Sequence, residues 1–167
     1  GDIYETKKYY DGNYLSFDGF KKIVDEGADY GCPSLSPQGN NEPFLIKDLH
    51  KYIHYAYKKN FIDIMLNNNG SALTEKRAQQ VLDSGLTRIR FSLDTFSPET
   101  YSIVRVGSIP LDKVKKNIET FLNLKEKGNY KLPVTGVSFC KVRQNEHEVE
   151  DFINYWQPKV DIISIQS

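Results

Sequence analysis

Methionine occurs once in these 167 residues, at Met65, and the chain opens on glycine. With no natural start in view, the expectation is a fragment of a longer polypeptide. Cysteine occurs only at Cys32 and Cys140. Two distant thiols make no disulfide framework, and a reducing cytoplasmic setting is the simpler expectation. Nor can two cysteines alone complete a four-ligand zinc site or the three-thiolate loop of an iron–sulfur cluster. Neither sign of charge is in excess, with 22 Lys+Arg against 22 Asp+Glu. That balance offers no basic field to hold nucleic acid or a membrane surface, so neither is expected as a partner. No apolar run approaches the ~20 residues of a membrane span. No basic start with an apolar stretch behind it marks a signal peptide. Low-complexity segments and flexible linkers are also missing.

What is present is an alternation of short β-rich runs and longer helical runs, in a length suited to one domain over 1–167. Residues 1–14 are polar and tyrosine-rich and read as an arm or loop, with a turn at Asp11-Gly12-Asn13. Ser16 is placed to cap a helix to about residue 30, with Phe17, Phe20, Ile23 and Val24 as its buried stripe and Gly31 as its stop. A short strand follows over 33–38, then a helix over 45–59 with Leu49, Ile53 and Ala56 on one face. The run 61–66 is a strand, Thr74 caps a helix to about 84, and Gly85 closes it. A strand over 87–93 leads to Ser97-Pro98-Glu99, a helix start with proline at its first position. Val114, Ile118, Phe121 and Leu122 mark an amphipathic helix over 111–127. A strand over 133–141, a helix over 146–155 and a strand over 160–165 complete the pattern.

Repeated βα units imply an α/β fold with a parallel sheet and right-handed crossovers. They fit an open doubly wound sheet or an arc of a (β/α) barrel, and in both chemistry belongs at the C-terminal strand ends. Because the pattern opens on a helix and closes on a strand, at least one strand is expected upstream and more structure downstream. Polar residues collect after each strand: Gly39-Asn40-Asn41-Glu42-Pro43, then Asn67-Asn68-Asn69-Gly70, then Ser92 and Asp94, then Gln144 and Asn145. Any one of these is ordinary turn chemistry. Four together, two with a carboxylate, suit a polar ligand: Glu42 and Asp94 can take an ammonium or a hydroxyl.

Five segments in register resemble the radical S-adenosylmethionine (radical SAM) superfamily, close to members with a SPASM-type extension. Residues 15–31 resemble the helix after that family's cluster loop, and Asn40-Asn41-Glu42-Pro43 resembles its GGEP motif. Asn68-Asn69-Gly70 resembles a TNG, Ser92-Leu93-Asp94 an SLD, and residues 101–105 the segment leading to a family arginine. The resemblance implies a truncated, partial (β/α)6 TIM-like barrel. It implies a [4Fe-4S] cluster on a CxxxCxxC loop, S-adenosylmethionine as cofactor, an electron donor, and a 5′-deoxyadenosyl radical that abstracts hydrogen from a substrate. That substrate would be a peptide, a protein or a sugar-containing molecule. By the same resemblance Asn40, Asn41 and Glu42 would meet the methionyl ammonium. Ser92 and Asp94 would meet the ribose or carboxylate, Arg105 the carboxylate, and Asn68 would face the substrate. The chain departs from the pattern at the two glycines, now Asn40 and Asn41, and at the threonine, now Asn68. It also has no CxxxCxxC. The cluster loop is therefore expected upstream of Gly1, and these residues alone are expected to be inactive.

The remaining candidates read as structural. Cys140 on a strand suits a small buried hydrophobe, and Cys32 a structural position. His50 and His54 share a helix face at i, i+4, but without an HExxH glutamate they are no zinc motif. Glu146-His147-Glu148 reads as a solvated helix start, and Lys113, Lys115 and Lys116 as a solvent face. Two other function classes remain. A non-catalytic barrel binding a nucleotide-like ligand or a protein partner is favoured by the missing cysteines. A barrel hydrolase or isomerase would need a nucleophile–base pair or a phosphate-binding glycine loop, and neither is found.

Overall fold

A computed structural model describes residues 15–39 and 41–167. The expected arm over 1–14 and Asn40 lie outside the described residues. The elements run α1 (Phe17–Asp29), β1 (Ser34–Leu35), a 3-10 turn (Pro43–Leu45), α2 (Leu49–Lys58), β2 (Asp63–Asn68), α3 (Glu75–Leu82) and β3 (Arg88–Ser92). They continue with α4 (Pro98–Val104), α5 (Leu111–Lys127), β4 (Val134–Cys140), a 3-10 turn (Glu146–Glu148), α6 (Val149–Trp156) and β5 (Ile162–Gln166).

The five strands pair in sequence order, β1-β2-β3-β4-β5, and every pairing is parallel. A doubly wound sheet reverses its order so that helices cover both faces. Here the order never reverses, so right-handed crossovers put the helices on one side, as in a barrel wall.

Alternation along the strands separates two faces. Ile64, Leu66, Ile89, Phe91, Val137 and Phe139 are fully buried and point at the helices. Phe91 meets Phe121 of α5 edge-on at 5.7 Å, and Phe139 meets Phe152 of α6 at 5.0 Å. Asp63, Met65, Asn67, Arg88, Arg90 and Ser92 alternate with these core residues and share the opposite, concave face.

Local chemistry sets the element ends. Ser16, Thr74 and Ser97 cap their helices by accepting from Gly19, Arg77 and Thr100 N–H. Gly31 and Gly85 sit at φ +71° and +91°. Gly85 has a second constraint, because a Cβ there would lie 2.4 Å from Tyr57 Cγ. Gly85→Ala is therefore expected to cost about 2 kcal/mol, from the left-handed backbone and the displaced ring. Urea unfolding reads this as a lowered midpoint with an unchanged slope.

Several expectations are corrected. Ile23 is 53% exposed, because the α1 stripe centres on Phe20 and Val24 and leaves Ile23 on its flank. The helix expected from 45 starts at Leu49, after the separate 3-10 turn over Pro43–Leu45. The strand expected over 33–38 pairs only through Ser34 and Leu35, while β2 runs two residues further than expected, through Asn67 and Asn68. Cys140 is exposed, because it falls on the concave parity at the strand's last residue. Lys115 is half-buried: its Nζ donates to Phe96 O at 2.8 Å and lies 4.2 Å from the Phe96 ring centroid. Burial pushes its ammonium below the usual lysine range. Among the described residues no helix is long and apolar enough to cross a membrane.

Candidate functional site

The C-terminal ends of β2, β3 and β4 bring three of the expected loops to one edge of the sheet. Asp94 is the hub. It stands just past β3 in the left-handed region, at φ +63°, which aspartate tolerates better than most side chains. One carboxylate oxygen accepts from Cys140 N–H at 2.8 Å, and the other accepts from Arg105 Nη2. Arg105, just past α4, also donates to Ser92 O at 3.3 Å. The Asp94 backbone carbonyl accepts from Asn145 Nδ2 at 2.7 Å. Thus Ser92 and Asp94 at the end of β3 and Arg105 past α4 form one assembly.

Ser92 and Ser138 are neighbours in the β3–β4 register, with hydroxyl oxygens 3.3 Å apart. Both lie on the concave face. The Glu42 loop reaches the same edge: its carboxylate accepts from Asn69 N–H at 2.8 Å and from Phe44 N–H at 3.2 Å. Burial pushes the Glu42 carboxyl above the usual glutamate range, against the pull of those N–H groups and of the nearby Arg105 charge. Glu42 therefore ties its loop to the end of β2. Asn41 is exposed beside it.

Asn68 is placed differently from the expectation. It shares the parity of Ile64 and Leu66, is 4% exposed, and spends its amide on Arg90 O and Gly70 N–H. The residue that faces the concave side is Asn67, which β2's unexpected extension brought into the strand. Asn67 Oδ1 accepts from Arg90 Nε at 2.7 Å, and its backbone N–H donates to Gln38 Oε1 at 2.5 Å.

Asn145, one of the expected polar residues after the strands, and Glu148, expected to be solvated, hold the hub. Asn145 is fully buried; its Nδ2 donates to Asp94 O and to Cys140 O at 2.8 Å, and its Oδ1 accepts from Val142 N–H at 2.7 Å. Glu148 is not solvated but 4% exposed. It accepts from Phe96 N–H at 2.7 Å, Ser97 N–H at 3.3 Å and the Ser97 hydroxyl, clamping the turn between Asp94 and α4. No sequence signal separates Glu148 from the solvated Glu146; their difference is that Glu148 faces the Phe96–Ser97 turn and Glu146 faces solvent.

Burial pushes the Glu148 carboxyl up, but the donors from Phe96, Ser97 and Thr100 together bring it below its ordinary 4.5. A carboxyl lowered on folding contributes stability that is fully present above its unfolded value and is lost as pH falls through its folded one. Glu148→Gln is expected to cost about 2 kcal/mol at pH 7. That gap to the unaltered chain should close as pH falls below 4.5, read from urea midpoints at several pH values.

The family model of the Radical SAM superfamily matches residues 2–155. The chain belongs to the radical SAM superfamily. A probable GTP 3′,8-cyclase of Methanococcus maripaludis strain C5 is 39% identical over 108 residues, 65% of this chain and 35% of that protein. A GTP 3′,8-cyclase of Aliarcobacter butzleri is 35% identical over 144 residues, 78% of this chain and 43% of that one. The chain thus spans less than half the length of these curated relatives. Among solved structures, Streptococcus suis SuiB bound to precursor peptide SuiA overlays with a TM-score of 0.73 at 15% identity, covering 92% of this chain and 33% of that one. At that identity the match shows the fold alone, the partial barrel of radical SAM enzymes.

The residues present do not fit an iron–sulfur cluster. Cys32, in the loop before β1, and Cys140, at the end of β4, are both exposed, and among the described residues no group of three His, Cys, Asp or Glu is placed to hold a metal. They do fit the polar parts of S-adenosylmethionine. The Ser92–Ser138 hydroxyl pair suits ribose hydroxyls, and the Arg105 donors that meet no acceptor among the described residues suit a carboxylate.

Proposed function

We propose that this chain is the barrel wall of a radical SAM enzyme that holds S-adenosylmethionine at the C-terminal edge of β1–β4 and its substrate on the concave face. The observation that carries this reading is the assembly of Glu42, Ser92, Asp94 and Arg105 at one sheet edge from three separate segments. S-adenosylmethionine held there would supply radical hydrogen-abstraction chemistry to the parent enzyme. The chain's own residues bind and orient. The loop over 39–42 offers backbone carbonyls to the methionyl ammonium, with Asn40 and Asn41 in place of glycines. Ser92 and Ser138 take ribose hydroxyls, and Arg105, steadied by Asp94, takes the carboxylate. Asp94 is thereby a positioning residue, since both its oxygens are committed within the protein.

The cluster is proposed to be held by thiolates outside these residues, and its electron to come from a separate donor. The relatives named as GTP 3′,8-cyclases are far more similar in sequence than SuiB, so a sugar-containing small molecule is favoured over a peptide. A SPASM-type extension remains part of the proposal. A second reading, a non-catalytic barrel binding a nucleotide-like ligand, is favoured by the two lone cysteines.

Anaerobic iron–sulfide reconstitution separates the two. It is performed on these 167 residues and on the chain extended upstream through a preceding strand. The extended chain is expected to take up about four irons and, once reduced, to release 5′-deoxyadenosine from S-adenosylmethionine. If neither polypeptide takes up iron, the enzyme reading is lost and the binding barrel stands.

A further inference from the structure

The concave face carries two arginines of unlike status. Arg88, nearer the N-terminal end of β3, is neutralised by Asp63 through a two-point contact, Nε to Oδ1 at 2.7 Å and Nη2 to Oδ2 at 2.5 Å. Arg90, one step nearer the site, has no carboxylate partner among the described residues. Its single contact is neutral: Nε donates to Asn67 Oδ1. Both Nη groups meet no acceptor among the described residues, although the side chain is partly buried.

The neighbouring position on β4 carries no side chain. Register puts Asn67, Arg90, Gly136 and Ile162 in one row across β2–β5. A Cβ on Gly136 would come within 3.9 Å of Arg90 Cγ, so the arginine stem runs beside the glycine. The next row toward the site is Ser92, Ser138 and Ser164, about 7 Å along the strands.

A guanidinium taken partly out of water needs an anion, and its planar fork matches a carboxylate or phosphate at two points. The carboxylates toward either end of this face are already spent, Asp63 on Arg88 and Asp94 on Arg105. We propose that Arg90 is a specificity residue of the substrate chamber: Asn67 fixes its Nε, and its free Nη edge receives an oxyanion of the substrate. This rests on the reading that the concave face is the substrate chamber.

The test watches the Arg90 Nε–H resonance in 15N-labelled chain during titration with GTP, inorganic tripolyphosphate and N-acetylglutamate amide. Either class of oxyanion is expected to shift that resonance. A shift with GTP and tripolyphosphate identifies a phosphate as the group recognised, and a shift with the glutamate compound alone identifies a carboxylate. Arg90→Gln is expected to weaken binding of the shifting probe by at least about tenfold, and Arg90→Lys partly to rescue it. Arg88→Gln, which removes the neighbouring cation, is expected to retain binding. Equal affinity in Arg90→Gln, or no shift with any probe, overturns the assignment. If the extended, reconstituted chain cleaves S-adenosylmethionine while Arg90 ignores all three probes, this inference alone fails. If it takes up no iron, the underlying reading fails instead.

Discussion

Asn145→Ala is expected to cost this chain about 4 kcal/mol of stability, because a fully buried amide there satisfies three backbone groups at once. Two carbonyls, Asp94 O and Cys140 O, share its Nδ2, and Val142 N–H uses its Oδ1. Truncation leaves a small polar hole with no side chain able to reach those atoms. Each unsatisfied buried group costs roughly 1–3 kcal/mol, and a trapped water recovers part of it. Asn145→Asp separates the donor from the acceptor role. It keeps an oxygen for Val142 N–H but sets a carboxylate against two carbonyls, so it should destabilise at least as strongly. Urea unfolding at pH 7 checks both, and a loss below about 1 kcal/mol in Asn145→Ala would show that the network is dispensable.

Asp94→Ala is expected to cost about 3 kcal/mol and, in addition, to scatter the site. The side chains of Asp94 and Arg105 are 15% and 29% exposed, so the pair is partly rather than fully desolvated. Removing the carboxylate strands the Arg105 charge and the Cys140 N–H together. Asp94→Asn distinguishes charge from shape. Asparagine tolerates the positive φ and can still accept from Cys140, so about half the loss should remain. If the proposed role of Arg105 holds, Asp94→Asn weakens S-adenosylmethionine binding in the extended, reconstituted chain by about tenfold while iron content is unchanged. Iron content falling in parallel with affinity would instead make Asp94 a general structural support.

Glu42 and Asp94 illustrate how a motif can be legible while its chemistry is not. Both were readable as ligand carboxylates, since acidic residues on strand-end loops suit ammonium and hydroxyl groups. In the fold each carboxylate is already occupied by backbone N–H groups or by Arg105. The hydroxyls proposed for the ligand lie instead on the strands beside them, at Ser92 and Ser138. Asn67 and Asn68 show the same limit at one-residue resolution. Strand parity decides which side chain faces the chamber, and the strand's true end shifted that assignment by one residue.

By itself the sequence determined the alternation of βα units, the caps at Ser16, Thr74 and Ser97, the glycine stops at Gly31 and Gly85, and the family motifs in order. These are local effects: a hydroxyl reaching an N–H three residues on, a left-handed glycine, an apolar stripe at helical spacing. Only the tertiary structure decided that Glu148 and Asn145 clamp the Asp94 turn, that Lys115 is half-buried, that Cys140 is exposed, and that Arg90 has no carboxylate partner among the described residues beside a paired Arg88. Each depends on partners 19 to 52 residues away or on which face of the sheet a residue occupies. Contacts of that kind are fixed by how strands and helices pack, and residue type alone carries no record of them.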